Sequence, residues 1–420
     1  MKVVHLCSSD ILGGAAKAAY YISKALKSTD VDSSMLVQNK YSNDDTVIPF
    51  IDSKMKELSY GKRFFMDYIF INYLTVKERG RFSFPYWGID ISKHPLVKRA
   101  DIVHLHWINQ GFFSFNTFAM LARLNKPIFW TFHDMWAFTG GCHYTNNCER
   151  FKDSCGNCPS LKNPSGKDSS YKIWSQKNLV FSKLNLNIVT PSNWLRRYTE
   201  KSSLFKDENI EVVPYAIDLD FFKPMNKMEV RDKLNLPKDK ILILFGSMNV
   251  KDERKGFKYF KESLIKLIER NPELKDHMSI IVFGKSDQEM QSGIPCEFIF
   301  YGRIDSNEKI VSLYNAADFF VISSLEDNYP NTVMESLSCG IPVLAFNTGG
   351  IPDMVNHLNN GYLADSLSSD SLTLGMEWLI NNKNVRKDLS KNARDGIIKN
   401  NSFKSIGEKY SHLYYNALTK

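Results

Sequence analysis

The chain has 420 residues, 43% of them hydrophobic and 24% charged, which excludes a disordered polymer and suits two globular domains. No apolar run approaches the about 18 residues of a membrane span. The net charge of +8 sits in the first half: residues 1–200 hold 26 Lys and Arg against 16 Asp and Glu, and the remainder 28 against 30.

In chain order, KVVHLC at 2–7 predicts a strand. Its apolar run is too short for a signal peptide, so a reducing cytoplasm is expected and the seven Cys are not read first as disulfides. Asp10 to Gly14 form a turn, and AAKAAYYISKAL follows as a helix with Ala15, Ala19, Ile22 and Leu26 on one face. A strand at 34–38 precedes the aromatic stretch KRFFMDYIFINYL at 62–74, which runs on into KERGRF. That stretch reads equally as a membrane-surface or acceptor-side helix and as a helix packed on the first sheet. Strands at 101–106, 127–132 and 186–190 complete the first half. The division falls near 200–215 and is drawn as 1–206 and 207–402, with a terminal helix at 403–420 packing back on the first domain. The second half carries apolar runs at 240–246, 279–284, 296–302, 318–324 and 341–346. Short continuous apolar strands alternating with helices indicate α/β architecture: two doubly wound parallel sheets, with ligands outside the strands' carboxyl ends and a cleft between the domains.

The basic charges of the first half are scattered and carry no nucleic-acid recognition motif, so no nucleic acid partner is expected. Anionic lipid headgroups or a phosphorylated acceptor suit that half.

The most informative stretch is SSLEDNYPNTVMESLSCGIPVLAFNTGGIPDMV at 323–355, an acidic loop leading into a helix that starts near Asn331 or Thr332. The start of such a helix is a ready phosphate site. Val333 and Leu337 mark its buried face, so Glu335 is expected to point elsewhere, where its carboxylate suits ribose hydroxyls. Asp327 and the N–H groups of Asn328, Tyr329, Pro330's neighbour Asn331 and Thr332 would reach a donor sugar. Taken alone, Thr332 to Glu335 also fits a capping box, in which the Glu merely satisfies the helix end.

These residues resemble glycosyltransferase family 4, a retaining family with the GT-B fold of two Rossmann-like domains. Its signature is two acidic residues separated by seven others, then Cys-Gly-x-Pro-Val and Gly-Gly-x-Pro-Glu. Here the run is DNYPNTVMESLSCGIPV followed by GGIPD, with Asp327 at the first acidic position and Glu326 just before it; either of the two is a candidate for the sugar contact. VVPYAIDLDFFKP resembles the family's second-domain opening, FYGRIDSNEKIVSLYNAADFFVISS its base-binding segment with Arg303 and Ile304, and ILGGAAKAA its glycine loop with Gly13 and Gly14. TFHDMWAFTGGCHY resembles a subgroup of capsule and exopolysaccharide synthesis, of the colanic-acid type.

The resemblance implies that Glu335 holds the ribose, that Asp327 and His133 touch the donor sugar, and that cationic side chains hold the diphosphate. Lys255 before Gly256 matches the family's Lys-Gly pair. The family's usual Arg position holds Ser247, leaving Arg254 either to supply that charge or to be a solvated loop residue. The implied reaction moves a hexose-type sugar from a nucleotide diphosphate, UDP favoured and GDP allowed, to a lipid-linked or oligosaccharide acceptor, with no catalytic metal. It is placed in the cytoplasm, at the inner face of the membrane through a peripheral contact of the basic domain. A non-catalytic nucleotide-sugar-binding partner and a GT-B epimerase are the alternatives.

Cys142, Cys148, Cys155 and Cys158 lie within seventeen residues, at C-x5-C-x6-C-x2-C spacing. They suit a structural zinc, with His143 as a substitute ligand, or reduced thiols ordering a loop, or disulfides.

Overall fold

A computed structural model of the chain describes residues 1–76, 79–286, 288–304 and 306–419. It divides into two units, Met1–Ala216 together with the segment from Phe403 onward, and Ile217–Ser402.

The first unit is built on seven strands, β1 (Lys2–Ser9), β2 (Asp32–Asn39), β3 (Val47–Pro49), β4 (Ile102–Leu105), β5 (Ile128–Thr131), β6 (Leu186–Thr190) and β7 (Ile210–Val212). Their order is β3-β2-β1-β4-β5-β6-β7, and every pairing is parallel. The chain therefore winds outward from β1 in one direction and from β4 in the other, which opens a crevice at their carboxyl ends. β1 is buried from Val3 to Ser9 because helices cover both of its faces, the reason its sequence is continuously apolar. One face meets the helix Pro95–Arg99, whose Val97 clusters with Val4 and Leu6; the other meets the helix Gly14–Leu26, beside which the terminal helix Phe403–Leu418 runs over β4 and β5. The two helices meet closely where Gly407 has no side chain, since a Cβ there would lie 2.3 Å from the Ala25 carbonyl oxygen. Tyr410 and Tyr414 of the terminal helix are fully buried, their hydroxyls bonded to Thr131 and His104.

The aromatic stretch belongs to a longer helix, Lys54–Leu74, started by Ser53, whose side chain accepts from the Lys56 N–H. Phe70, Ile71 and Leu74 lean on a small cluster of Phe82, Phe84, Cys158, Leu161 and Ile173, so the helix rests on loops, and packing on the sheet is not what it does. Phe65, Ile69 and Tyr73 are all exposed, Tyr73 by 77%. Asp67 is its one buried residue. Lys77 and Glu78 of the KERGRF continuation lie outside the described residues, and so does Asp305 of the base-binding segment. Among the described residues no helix is long and apolar enough to cross a membrane.

The second unit repeats the winding with β8 (Ile241–Asn249), β9 (Met278–Lys285), β10 (Glu297–Gly302), β11 (Phe319–Ile322), β12 (Val343–Phe346) and β13 (Gly361–Ala364). The order is β10-β9-β8-β11-β12-β13, again all parallel. Ile243, Phe245, Ile280, Val282, Val321 and Leu344 from the strands interlock with Phe260, Leu264 and Leu267 of the helix Phe257–Arg270. The switch point falls between β8 and β11, and the loops leaving those two strands carry the candidate site.

Candidate functional site

The loop after β8 ends in Arg254, Lys255 and Gly256, and the loop after β11 contains Glu326 and Asp327. Two glycines weld them. Gly256 has φ +67, and a Cβ there would meet the Ser323 carbonyl oxygen at 1.9 Å, so only glycine lets Lys255 enter its helix this close to β11. Gly349, at φ +62, would place a Cβ 2.0 Å from the Asp327 carbonyl oxygen. That carbonyl accepts from the Gly350 N–H at 2.9 Å, and the Arg254 carbonyl accepts from the Leu325 N–H at 2.8 Å.

This backbone framework brings three charged groups together. Lys255 Nζ donates to Asp327 Oδ2 at 2.6 Å. Arg254 Nη1 lies 3.4 Å from the same oxygen and donates to the Glu326 carbonyl at 2.7 Å. Arg254 is therefore a brace between the loops and not a solvated charge. Asp327 is buried; burial alone would push its carboxyl up, but Lys255 and then Arg254 outweigh that and hold it below the ordinary carboxylate range. Ser247 is also buried, and its hydroxyl has no hydrogen-bond partner.

The helix that follows runs Asn331–Ser338, with Pro330 at its N-cap and no side chain capping it. Thr332 is thus inside the helix, and the capping box does not form. The expectation for Glu335 needs correcting as well. It does not point away from the packed face: every residue from Val333 to Ser338 is buried, because helices and strands enclose this short helix on all sides. Glu335 accepts from the Tyr314 hydroxyl at 3.1 Å, a partner that no motif singles out. Asn328 and Tyr329 are buried too, and the Tyr329 hydroxyl accepts from Asn401 at 3.0 Å. Arg303 and Ile304 follow the edge strand β10, with Arg303 exposed, and they are not drawn into the Lys255–Asp327 cluster.

In the first unit, Gly13 takes φ +102 ahead of the helix Gly14–Leu26. A Cβ at Gly13 would meet nothing within 4 Å, so its backbone demands glycine while the space beside it is open. His133 lies just past β5, 8% exposed. Its Nε2 lies 3.1 Å from His106 Nδ1 and its Nδ1 2.7 Å from the Tyr215 hydroxyl. Burial lowers its pKa to about 4, so it is neutral at physiological pH. Asp134 accepts from Trp107 Nε1, the Trp136 N–H and His143 Nδ1.

His143 is held by Asp134 at 2.6 Å and by Ser83 at 2.9 Å. Cys142, Cys148, Cys155 and Cys158 line one small cavity and are unbridged. Among the described residues, the group of potential ligands that converges within 4.8 Å is His5, His104 and His106. The turn Cys155–Gly156–Asn157 is left-handed throughout and is held by hydrogen bonds: Gly156 N–H to Ser170, and Cys158 N–H to Asp168 at 2.8 Å. Reduced thiols in an ordered loop fit this geometry. Lys177 braces the preceding segment from beneath, donating to the carbonyls of Trp136 and Thr139.

Comparison with known proteins adds a family. The model described as Glycosyltransferase Family 4 matches residues 12–221, and that of Glycosyl transferases group 1 matches residues 226–396. The putative colanic acid biosynthesis glycosyl transferase WcaC of Escherichia coli is 26% identical over 275 residues, 63% of each chain. The chain thus spans less than two thirds of the length of the curated relatives it first matches. Sucrose-phosphate synthase of Thermosynechococcus elongatus shares the fold at a TM-score of 0.66, with 16% identity over 100% of this chain and 99% of that one. The HepE protein of Anabaena, solved with UDP-glucose, superimposes at 0.63 with 14% identity, covering 99% of this chain and 100% of that one. With its two Rossmann-like sheets and both matched segments in order, the chain belongs to glycosyltransferase family 4.

Proposed function

We propose that this protein is a retaining glycosyltransferase of surface polysaccharide synthesis, moving a hexose-type sugar from a nucleotide diphosphate to a lipid-linked or oligosaccharide acceptor. The observation that carries the reading is the Lys255–Asp327–Arg254 cluster standing beside an uncapped helix start at the switch point of a doubly wound sheet. Lys255 has three N–H donors, so it can hold Asp327 and a phosphate oxygen together. The helix start at Asn331 and Thr332 adds partial positive charge where the leaving diphosphate gains negative charge. Glu335 is assigned the ribose hydroxyls. Asp327, fixed by two cations, is assigned the sugar, with Glu326 as its neighbour. Arg303 and Ile304 are assigned the base, and Gly13, Gly14 and His133 the sugar-side groups of the first unit, His133 by exchanging its Tyr215 contact for a sugar hydroxyl. No step requires a metal. UDP is the favoured nucleotide, in line with the UDP-glucose bound by HepE, and surface polysaccharide synthesis is in line with the colanic acid role in the name of WcaC.

The exposed aromatic helix, with Lys54 and Lys62 beside Leu58, Phe65 and Tyr73, is assigned to an anionic membrane surface. Flotation with anionic vesicles, lost in Phe65→Asp, tests that assignment; equal flotation of the variant overturns it.

The reaction is tested by incubating purified protein with UDP- and GDP-sugars and candidate acceptors. Nucleoside diphosphate release and the product's anomeric configuration are followed by NMR. Acceptor-dependent release with retained configuration is expected. Binding without turnover would point instead to a non-catalytic partner, and donor isomerisation without acceptor to an epimerase.

A further inference from the structure

Three histidines and a tyrosine form an unbroken line inside the first unit. His5 on β1 has His104 as its register partner on β4, and His106, two residues further, faces the same side by strand alternation. His5 Nδ1 and His106 Nε2 are 2.9 Å apart. His106 Nδ1 and His133 Nε2 are 3.1 Å apart, and His133 Nδ1 and the Tyr215 hydroxyl 2.7 Å. All four residues are buried. His104 stands beside the line without joining it, its two nitrogens taken by Tyr414 at 2.6 Å and Thr131 at 2.8 Å. The line ends at His5 Nε2, buried with no partner among the described residues.

A neutral imidazole has one proton for two nitrogens. The contacts can therefore be satisfied in only two ways, with every N–H pointing toward Tyr215 or every N–H pointing toward His5. The second would leave an N–H at His5 Nε2 buried without an acceptor. The first leaves a lone pair there. Orphaned buried donors are the rarer of the two in folded proteins, which selects the first arrangement.

We propose that His5 and His106 are positioning residues that hold His133 in its Nδ1–H tautomer, with Nε2 accepting from His106 and Nδ1 donating to Tyr215. The task given to His133 rests on the proposed transferase reading; its tautomer does not. Which nitrogen of an imidazole carries the proton is set by the bond the other one makes, and a base or contact residue in the wrong tautomer loses function although its position is unchanged. The aligned chain gives His133 one fixed polarity.

The test uses the whole chain labelled with 15N-histidine, read by long-range 1H–15N correlation. Wild type should show His133 protonated on Nδ1 alone. His106→Asn keeps an amide donor near the lost Nδ1 and should retain that tautomer. His106→Phe keeps a ring without nitrogens and should give a mixed tautomer. Turnover should stay within about twofold in His106→Asn and fall about tenfold or more in kcat, with little change in KM, in His106→Phe. Tyr414→Phe deletes a bond to His104, outside the line, and should leave the His133 signal unchanged. A wild-type spectrum with His133 protonated on Nε2, or a His106→Phe spectrum identical to wild type, would overturn the inference. So would a stoichiometric divalent metal lost on His5→Gln, which would make His5, His104 and His106 ligands instead. Should wild type turn over no nucleotide sugar, the transferase reading falls while the wild-type tautomer still decides this one.

Discussion

Lys255 and Asp327 meet at 2.6 Å in a place where each is costly to leave alone. Lys255→Ala would leave a buried carboxylate with only the longer contacts to Arg254 and Ser324, so a loss of about 1–3 kcal/mol in stability is expected, together with weaker nucleotide binding. Lys255→Ala/Asp327→Ala should recover much of the stability and none of the binding, a split that a denaturation cycle run beside a nucleotide titration measures directly. A double variant whose loss equals the sum of the losses in Lys255→Ala and Asp327→Ala would mean that the pair does not interact. The pair was legible in the sequence because Lys255 precedes a glycine and Asp327 opens the acidic motif. Glu335's surroundings were not. An eight-residue helix is too short for its apolar spacing to show burial on every side, and Tyr314, its partner, is twenty-one residues away along the chain. The surroundings of His143 were hidden for a related reason: its proximity to four cysteines in sequence says nothing of Asp134 and Ser83, which hold its ring.

At the scale of elements, the long buried strands were read well. KVVHLC, KILILFG and SIIVFG fall within β1, β8 and β9 or overlap them to within a residue or so, because two-sided burial writes itself as continuous apolar sequence. β3 and β13 were missed, since three or four residues at a sheet edge carry no period to detect, and the strand that begins IEVVPYAIDLDFFKP, read as opening the second unit, is β7 at the edge of the first sheet. The helix Lys54–Leu74 was half legible: its turn-by-turn aromatics showed a helix, but not which side met protein. Asp67 resolves that side. It is buried, its Oδ1 has no hydrogen-bond partner among the described residues, and burial pushes its pKa up to about 6. The folded state thus holds this proton more tightly than the unfolded chain does, so its contribution falls as pH rises from the ordinary 3.8 through about 6. Asp67→Asn, which cannot ionise, should therefore stabilise the protein at pH 7 and change little at pH 4. Urea denaturation at both values checks this; destabilisation at pH 7 would mean that the charge has a partner.

For the whole molecule, two parallel sheets in order were the most secure sequence reading, because repeated strand, turn and helix leave few alternatives. The return of the terminal helix to the first unit places Tyr410 and Tyr414 over the histidine-bearing face of its sheet. That burial gives the molecule a characteristic acid response. Burial drives His5 to about 3 and His133 to about 4, and lowers His104 and His106 well below 6.5. Their folded values are depressed, so the unfolded chain takes up protons first. The stability they support is intact above about pH 6.5, and each costs up to about tenfold in the folding equilibrium per pH unit below it. The first unit should accordingly lose tertiary structure on mild acidification, near pH 5, while the second, whose site carboxylate is held below the ordinary range by cations, persists. Hydrogen exchange at pH 7 and pH 5 would locate the loss, and equal loss in both units would contradict it.

The assignment of the donor nucleotide to the second unit is tested most directly by calorimetric titration of UDP and GDP into wild type, Glu335→Ala and Lys255→Ala, with folding of each checked by circular dichroism. One nucleotide should bind wild type at a single site, and Glu335→Ala should bind it about 1.5–3 kcal/mol more weakly, the range for a hydrogen bond to a charged group. Unchanged affinity in both folded variants, or no nucleotide binding by wild type, would contradict the account.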